Sequence, residues 1–82
     1  MTEELAVLRK GRGLSRNDLA LAAGITPAWL ARLEEHTAPL ALDLAERLAP
    51  MLGVQAGDLY RAHAEGCERR KAEAVRRVAE AA

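Results

Sequence analysis

Residues 21–30 read LAAGITPAWL, and this stretch decides how the chain is read. Gly24 interrupts a run of good helix formers, and a glycine there permits the left-handed or tight backbone of a sharp corner. Thr26-Pro27 restarts a helix, with threonine as the cap and proline at the first helical position, where a missing N–H costs nothing. Upstream, Ser15 opens a helix, and Asp18 stands three residues on for a capping-box-like arrangement. Leu19, Ala20 and Ala23 share one face of that helix. The spacing predicts two short helices crossing at a steep angle. Ala20 is small because the second helix passes over it, while Ile25, Leu30 and Leu33 lock that helix against the first.

Working outward, a first helix is expected from Thr2 as cap, with Glu3 and Glu4 in its first turn, where the helix dipole favours anions. Leu5 and Leu8 mark its buried stripe, Arg9 and Lys10 its last turn, and Gly11 and Gly13 its end. The third helix is expected to fray at His36-Thr37-Ala38, since Pro39 prevents simple continuation. A fourth, LALDLAERLAPML (residues 40–52), carries a stripe of Leu44, Leu48, Met51 and Leu52. Pro50 should kink or end it near its last turn, with Gly53 as the stop. A fifth, roughly Gln55 to Ala64, turns Val54, Leu59 and Tyr60 to the core. After Gly66, CERRKAEAVRRVAEAA repeats Ala72, Val75, Val78, Ala79 and Ala82 at helical spacing. That stripe is too weakly apolar to stand alone, and it calls for a partner surface on this domain, a second copy or another molecule.

The expected fold class is therefore all-α: a compact five-helix domain over residues 1–64 and a charged helical extension over 65–82. Composition agrees. Half of the 82 residues are apolar, mostly Ala and Leu, with no Phe, and β-branched residues are few. No apolar run approaches a membrane span, and no signal peptide is expected ahead of the first helix. One cysteine, Cys67, excludes an internal disulfide framework and suggests a reducing, cytoplasmic location. Charge is balanced at twelve basic and twelve acidic residues. A basic excess normally accompanies nucleic-acid binding, so any such function must rest on where the charges lie.

The text GLSRNDLALAAGITPAWLARLE (residues 13–34), supported by LAERLAPMLGVQAGDLY (residues 44–60), resembles the phage-repressor type of helix-turn-helix, the Cro/repressor or Xre-like family. The resemblance spans about Leu5 to Tyr60. It implies a compact five-helix domain, normally a homodimer, that places its third helix in the major groove of double-stranded DNA. The bland alternative is an ordinary αα-hairpin in a helical bundle, with Gly24 a plain loop residue.

At about 100° per residue, the inward Leu30 and Leu33 leave Ala28, Ala31 and Glu35 pointing most directly outward, with Arg32 outward to one side and Trp29 and His36 flanking it. In the family, the positions of Pro27, Ala28, Trp29 and Arg32 usually contact DNA, and the position of Arg16 touches the backbone or an end base. Arg32 is the best base reader, since its fork matches guanine O6 and N7; alternatively it pairs with Glu34 or Glu35. Arg16 binds phosphate or guanine, or is a surface residue beside Asp18. Ala28 and Ala31 offer methyl contacts or act as small spacers. Trp29 lies along the sugar–phosphate wall or covers the rim of the core, with partial burial favoured. Asn17, Lys10, Arg12, His36 and Thr37 are candidate phosphate contacts. Glu35 and His36 stand where family members often have Arg or Asn followed by Gly.

Enzymatic activity is not expected. His36, His63 and Cys67 fit no familiar metal-ligand spacing, no cofactor is implied, and neither a phosphate-binding glycine loop nor a nucleophile elbow is present. His63 reads as a helix-end residue and Cys67 as an inert thiol, with a redox or cross-subunit role as its alternative. The ERRK and RR runs of the extension read as a solvated helix rather than further phosphate contacts, since Glu68, Glu73 and Glu80 are interspersed. The expected function is a cytoplasmic, nucleoid-associated transcriptional regulator, a repressor, acting as a homodimer on a two-fold-related operator. The alternative is a protein-interaction module that keeps the fold and docks a protein partner such as an antirepressor or toxin.

Overall fold

The computed structural model describes residues 3–81. Five helices follow one another: α1 (Leu5–Gly11), α2 (Arg16–Ala23), α3 (Pro27–Glu34), α4 (Leu42–Leu52) and α5 (Ala56–Ala81). No strand occurs among the described residues. One core joins Leu5 of α1, Leu19, Ala20 and Ala23 of α2, Leu30 and Leu33 of α3, Leu44, Ala45, Leu48 and Leu52 of α4, and Leu59 of α5. Ala38 and Leu40 plug it from the loop after α3.

The expected caps form at both helices of the corner. The Ser15 side chain accepts from the Asp18 amide, and that of Thr26 accepts from the Trp29 amide, satisfying first-turn donors that a helix leaves orphaned. Pro27 stands in the first turn of α3. Gly24 takes φ 74°, and the Ile25 amide bonds back to the Ala20 carbonyl at 3.0 Å. A side chain would be strained at that φ. Arg47 of α4 completes the corner by donating to the Ala23 carbonyl at 2.9 Å.

Several expectations are corrected. α1 starts at Leu5, with Glu4 as an N-cap that makes no side-chain cap bond, so Glu3 and Glu4 precede the helix; the Thr2 cap lies outside the described residues. Arg9 stands in the last turn, as expected, and its side chain is buried. α4 ends as expected at Gly53, which takes φ 70°, and it tolerates Pro50 because a proline in the last turn forfeits a single bond. Tyr60, expected in the core, is 43% exposed.

The largest correction concerns the extension. α5 is one continuous helix of 26 residues through Gly66, not a short helix followed by a separate tail. At 1.5 Å per residue it is about 39 Å long, in a molecule whose longest extent is 44 Å. His63, read as a helix-end residue, is buried on this helix. Its Nε2 lies 2.8 Å from the Ala38 carbonyl, and its ring stacks on His36 at 5.1 Å between centroids. Gly66 is what allows the stack, since a Cβ there would overlap the His36 ring. Cys67 is half-buried, its thiol 3.9 Å from the same Ala38 carbonyl. Beyond it, Ala72, Val75, Val78 and Ala79 remain exposed, so the stripe finds no partner among the described residues; Ala82 lies outside them.

Burial lowers the pKa of His63, the Ala38 carbonyl opposes the shift, and the charge on His36 adds to it. A depressed folded value means that His63 contributes its full stability above the ordinary imidazole pKa of about 6.5 and loses it as the pH falls through the lower folded value. Thermal unfolding from about pH 7.5 to about 5.5 should therefore show a falling Tm, with a shallower fall in His63→Gln. Equal slopes in the two proteins would remove His63 as the cause.

Candidate nucleic-acid interface

α3 presents the row that its periodicity implies except at Ala31, expected among the most outward residues and found half-buried. Leu30 and Leu33 are fully buried, Pro27, Ala28, Arg32 and Glu35 are exposed, and Trp29 and Ala31 are half-buried. Trp29 packs on the rim of the core, and Arg32 lies over its ring, with the guanidinium carbon 5.3 Å from the ring centroid. Neither Glu34 nor Glu35 pairs with Arg32.

Glu34 points the other way. It forms a buried bidentate pair with Arg9, whose Nε and Nη2 donate at 2.6 and 3.2 Å, and it accepts from Arg16 Nη2 at 3.1 Å. Arg9 Nη1 also donates to the Leu14 carbonyl at 2.9 Å. One carboxylate thus ties α1, the start of α2 and the end of α3 together. Burial disfavours the Glu34 charge, but the hydrogen bonds from Arg9 and then Arg16 outweigh it, so its pKa falls below the usual carboxylate range. The Glu34 bond raises the Arg9 pKa against the opposing effect of burial.

Arg16 is thereby held beside α3 with its side chain about half exposed (48%), rather than paired with Asp18. Asn17 and Lys10 are exposed. Of the other three expected phosphate contacts, His36 and Thr37 are engaged within the molecule, and Arg12 is exposed. Arg12 lies across Gly53 at the end of α4. His36 takes φ 61°, where family members often carry glycine, and this turns its ring onto His63 and away from the outward row of α3. His is among the side chains that tolerate this backbone. Thr37 closes α3, its amide and hydroxyl both donating to the Arg32 carbonyl, at 2.9 and 3.1 Å.

Sequence reasoning missed Arg9, Glu34 and Arg47 as the groups that hold the corner. Arg9 stands four residues after Leu5, on the buried face of α1, and that spacing was a usable signal. Nothing local marks Glu34 or Arg47, whose partners lie 25 and 24 residues away.

Residues 1–64 match the helix-turn-helix domain family. The chain belongs to that family. The match ends part-way along α5, so this helix-turn-helix protein carries residues 65–81 of its last helix beyond the matched region. No curated protein sequence matches it. The crystal structure of the clp gene regulator ClgR from Corynebacterium glutamicum is similar, with a TM-score of 0.65 and 26% identity over 93% of this chain and 82% of that one. No helix among the described residues of the helix-turn-helix protein is long and apolar enough to cross a membrane.

Proposed function

We propose that this chain is a DNA-binding transcriptional regulator that lays α3 in the major groove and reads guanine with Arg32. The observation that carries the reading is the state of Arg32. It stands in the exposed row of α3, pairs with no carboxylate among the described residues, and projects from a helix held by the Gly24 corner and the Glu34 cluster. Pro27 and Ala28 let the helix approach closely, while Arg16, Asn17 and Lys10 flank it as phosphate contacts. His36 and Thr37 would reach phosphate only by leaving the contacts described above. The likeness to a gene regulator supports the same reading.

Two copies, with their α3 helices about 34 Å apart, would address a two-fold-related operator. The C-terminal part of α5 and its exposed Val75 and Val78 are the candidate dimer surface, and repression follows if the operator overlaps a promoter. The test is selection from a random duplex library. Arg32→Ala should bind the selected duplex about tenfold more weakly and lose preference at one base pair per half-site. Lys10→Ala should weaken all duplexes alike and reduce the salt slope by about 1. The assignment fails if parent and Arg32→Ala bind equally.

The exposure of Val75 and Val78, 69% and 72%, also suits a second reading, in which a protein partner docks on α5. A stoichiometric heterologous complex without any DNA shift would favour it.

A further inference from the structure

Resting on the DNA-reading assignment above, we propose that Trp29 is a positioning residue: its indole face holds the Arg32 guanidinium ready for a guanine, and it does not itself read a base. The two residues are three apart on α3, where helical side chains meet. Trp29 is the rigid member. Its ring packs on the core, and its amide is fixed by the Thr26 hydroxyl at 3.1 Å. Arg32 is the mobile member, with an exposed side chain on a long stem.

The competing partners are withdrawn. Glu34 is committed to Arg9 and Arg16, and Glu35 forms no ion pair with Arg32. A weakly hydrated guanidinium then settles on an aromatic face. The indole meets the guanidinium with its carbon 5.3 Å from the ring centroid, and bidentate recognition of guanine O6 and N7 needs only two of the five guanidinium N–H donors. Both can therefore operate at once, and the arginine enters the groove with fewer rotamers to lose.

The experiment has two arms. In the free full-length protein, NMR should show the Arg32 Hε and δ-methylene protons shifted upfield by the indole ring current, with the shift lost in Trp29→Leu and largely kept in Trp29→Phe. On the duplex selected by the parent, the preference for the Arg32-read guanine over other bases should fall about two- to fivefold in Trp29→Leu. It should stay near the parent value in Trp29→Phe, and Trp29→Leu should change nothing further in an Arg32→Ala background. Thermal unfolding confirms that each variant is folded, and Trp29→Phe carries the test if Trp29→Leu is not. Unshifted Arg32 protons overturn the proposal. So does an equal effect of Trp29→Leu with and without Arg32, because Trp29 would then act on DNA or on the fold directly. If the parent enriches no duplex, the DNA-reading assignment itself falls. If it enriches one and Trp29→Leu keeps the full guanine preference, only the positioning role falls.

Discussion

Arg9→Ala is expected to destabilise the protein by about 3 kcal/mol, the low end of the cost of removing one partner from a buried ion pair. The side chains of Arg9 and Glu34 are 9% and 4% exposed, so water replaces little of what is lost. The change leaves the Leu14 carbonyl without its donor and Glu34 with Arg16 alone. That remaining contact is why the low end applies. Glu34→Gln should cost a similar amount, since it strands a buried guanidinium. For a domain of this size, 3 kcal/mol corresponds to a fall in Tm of about 15 °C. The double variant Arg9→Met/Glu34→Leu should recover much of it, because two apolar side chains carry no desolvation penalty. A loss below about 3 °C in Arg9→Ala would show that the pair contributes little.

The same pair predicts a pH dependence. The folded pKa of Glu34 is depressed, so its stabilisation is complete above the ordinary carboxylate value of about 4.3 and disappears as the pH falls through the lower folded value. Acid unfolding of Glu34→Gln should therefore have a shallower pH slope below about 4.3 than that of the parent. The loss from His63 begins higher, at about 6.5, so the onsets of the two effects differ in one titration of Tm.

Gly66→Ala is expected to lower stability by about 1–2 kcal/mol, although alanine in a helix interior normally gains about 1 kcal/mol over glycine. The sign reverses because the new methyl would enter the space of the His36 ring. That ring cannot swing away freely: it is stacked on the buried His63, and its own backbone is at φ 61°. His36→Gly removes the ring and suits that backbone. In that background Gly66→Ala should become stabilising, by up to about 1 kcal/mol. Opposite signs in the two backgrounds establish the contact, and a rise in Tm in both refutes it.

The corner was legible because its determinants are local. Ser15, Thr26 and Pro27 act within one turn, and Gly24 answers a backbone demand at its own position. The inward and outward rows of α3 followed from periodicity alone. The contacts that orient the candidate site were not legible in that way. Arg32 has an acidic neighbour at two of its next three positions, and sequence spacing made either a reasonable partner. Only packing shows that Glu34 faces α1 and that Arg32 lies on Trp29. His36 and Thr37 looked free because a loop sequence does not reveal that it closes a helix and meets another one.

Gly66 marks the same divide more sharply. By itself, a glycine between two helical patterns reads as a break, since propensity there favours an end. In three dimensions it is the space that one imidazole needs against another, so the helix continues. The sequence by itself determined the helical segments, the caps of α2 and α3 and the inward face of α3, because hydrogen-bond capping and periodicity act over three or four residues. Tertiary structure alone decided which charges neutralise one another and where the last helix ends, because those choices depend on groups some 25 residues apart that meet only after the core has closed.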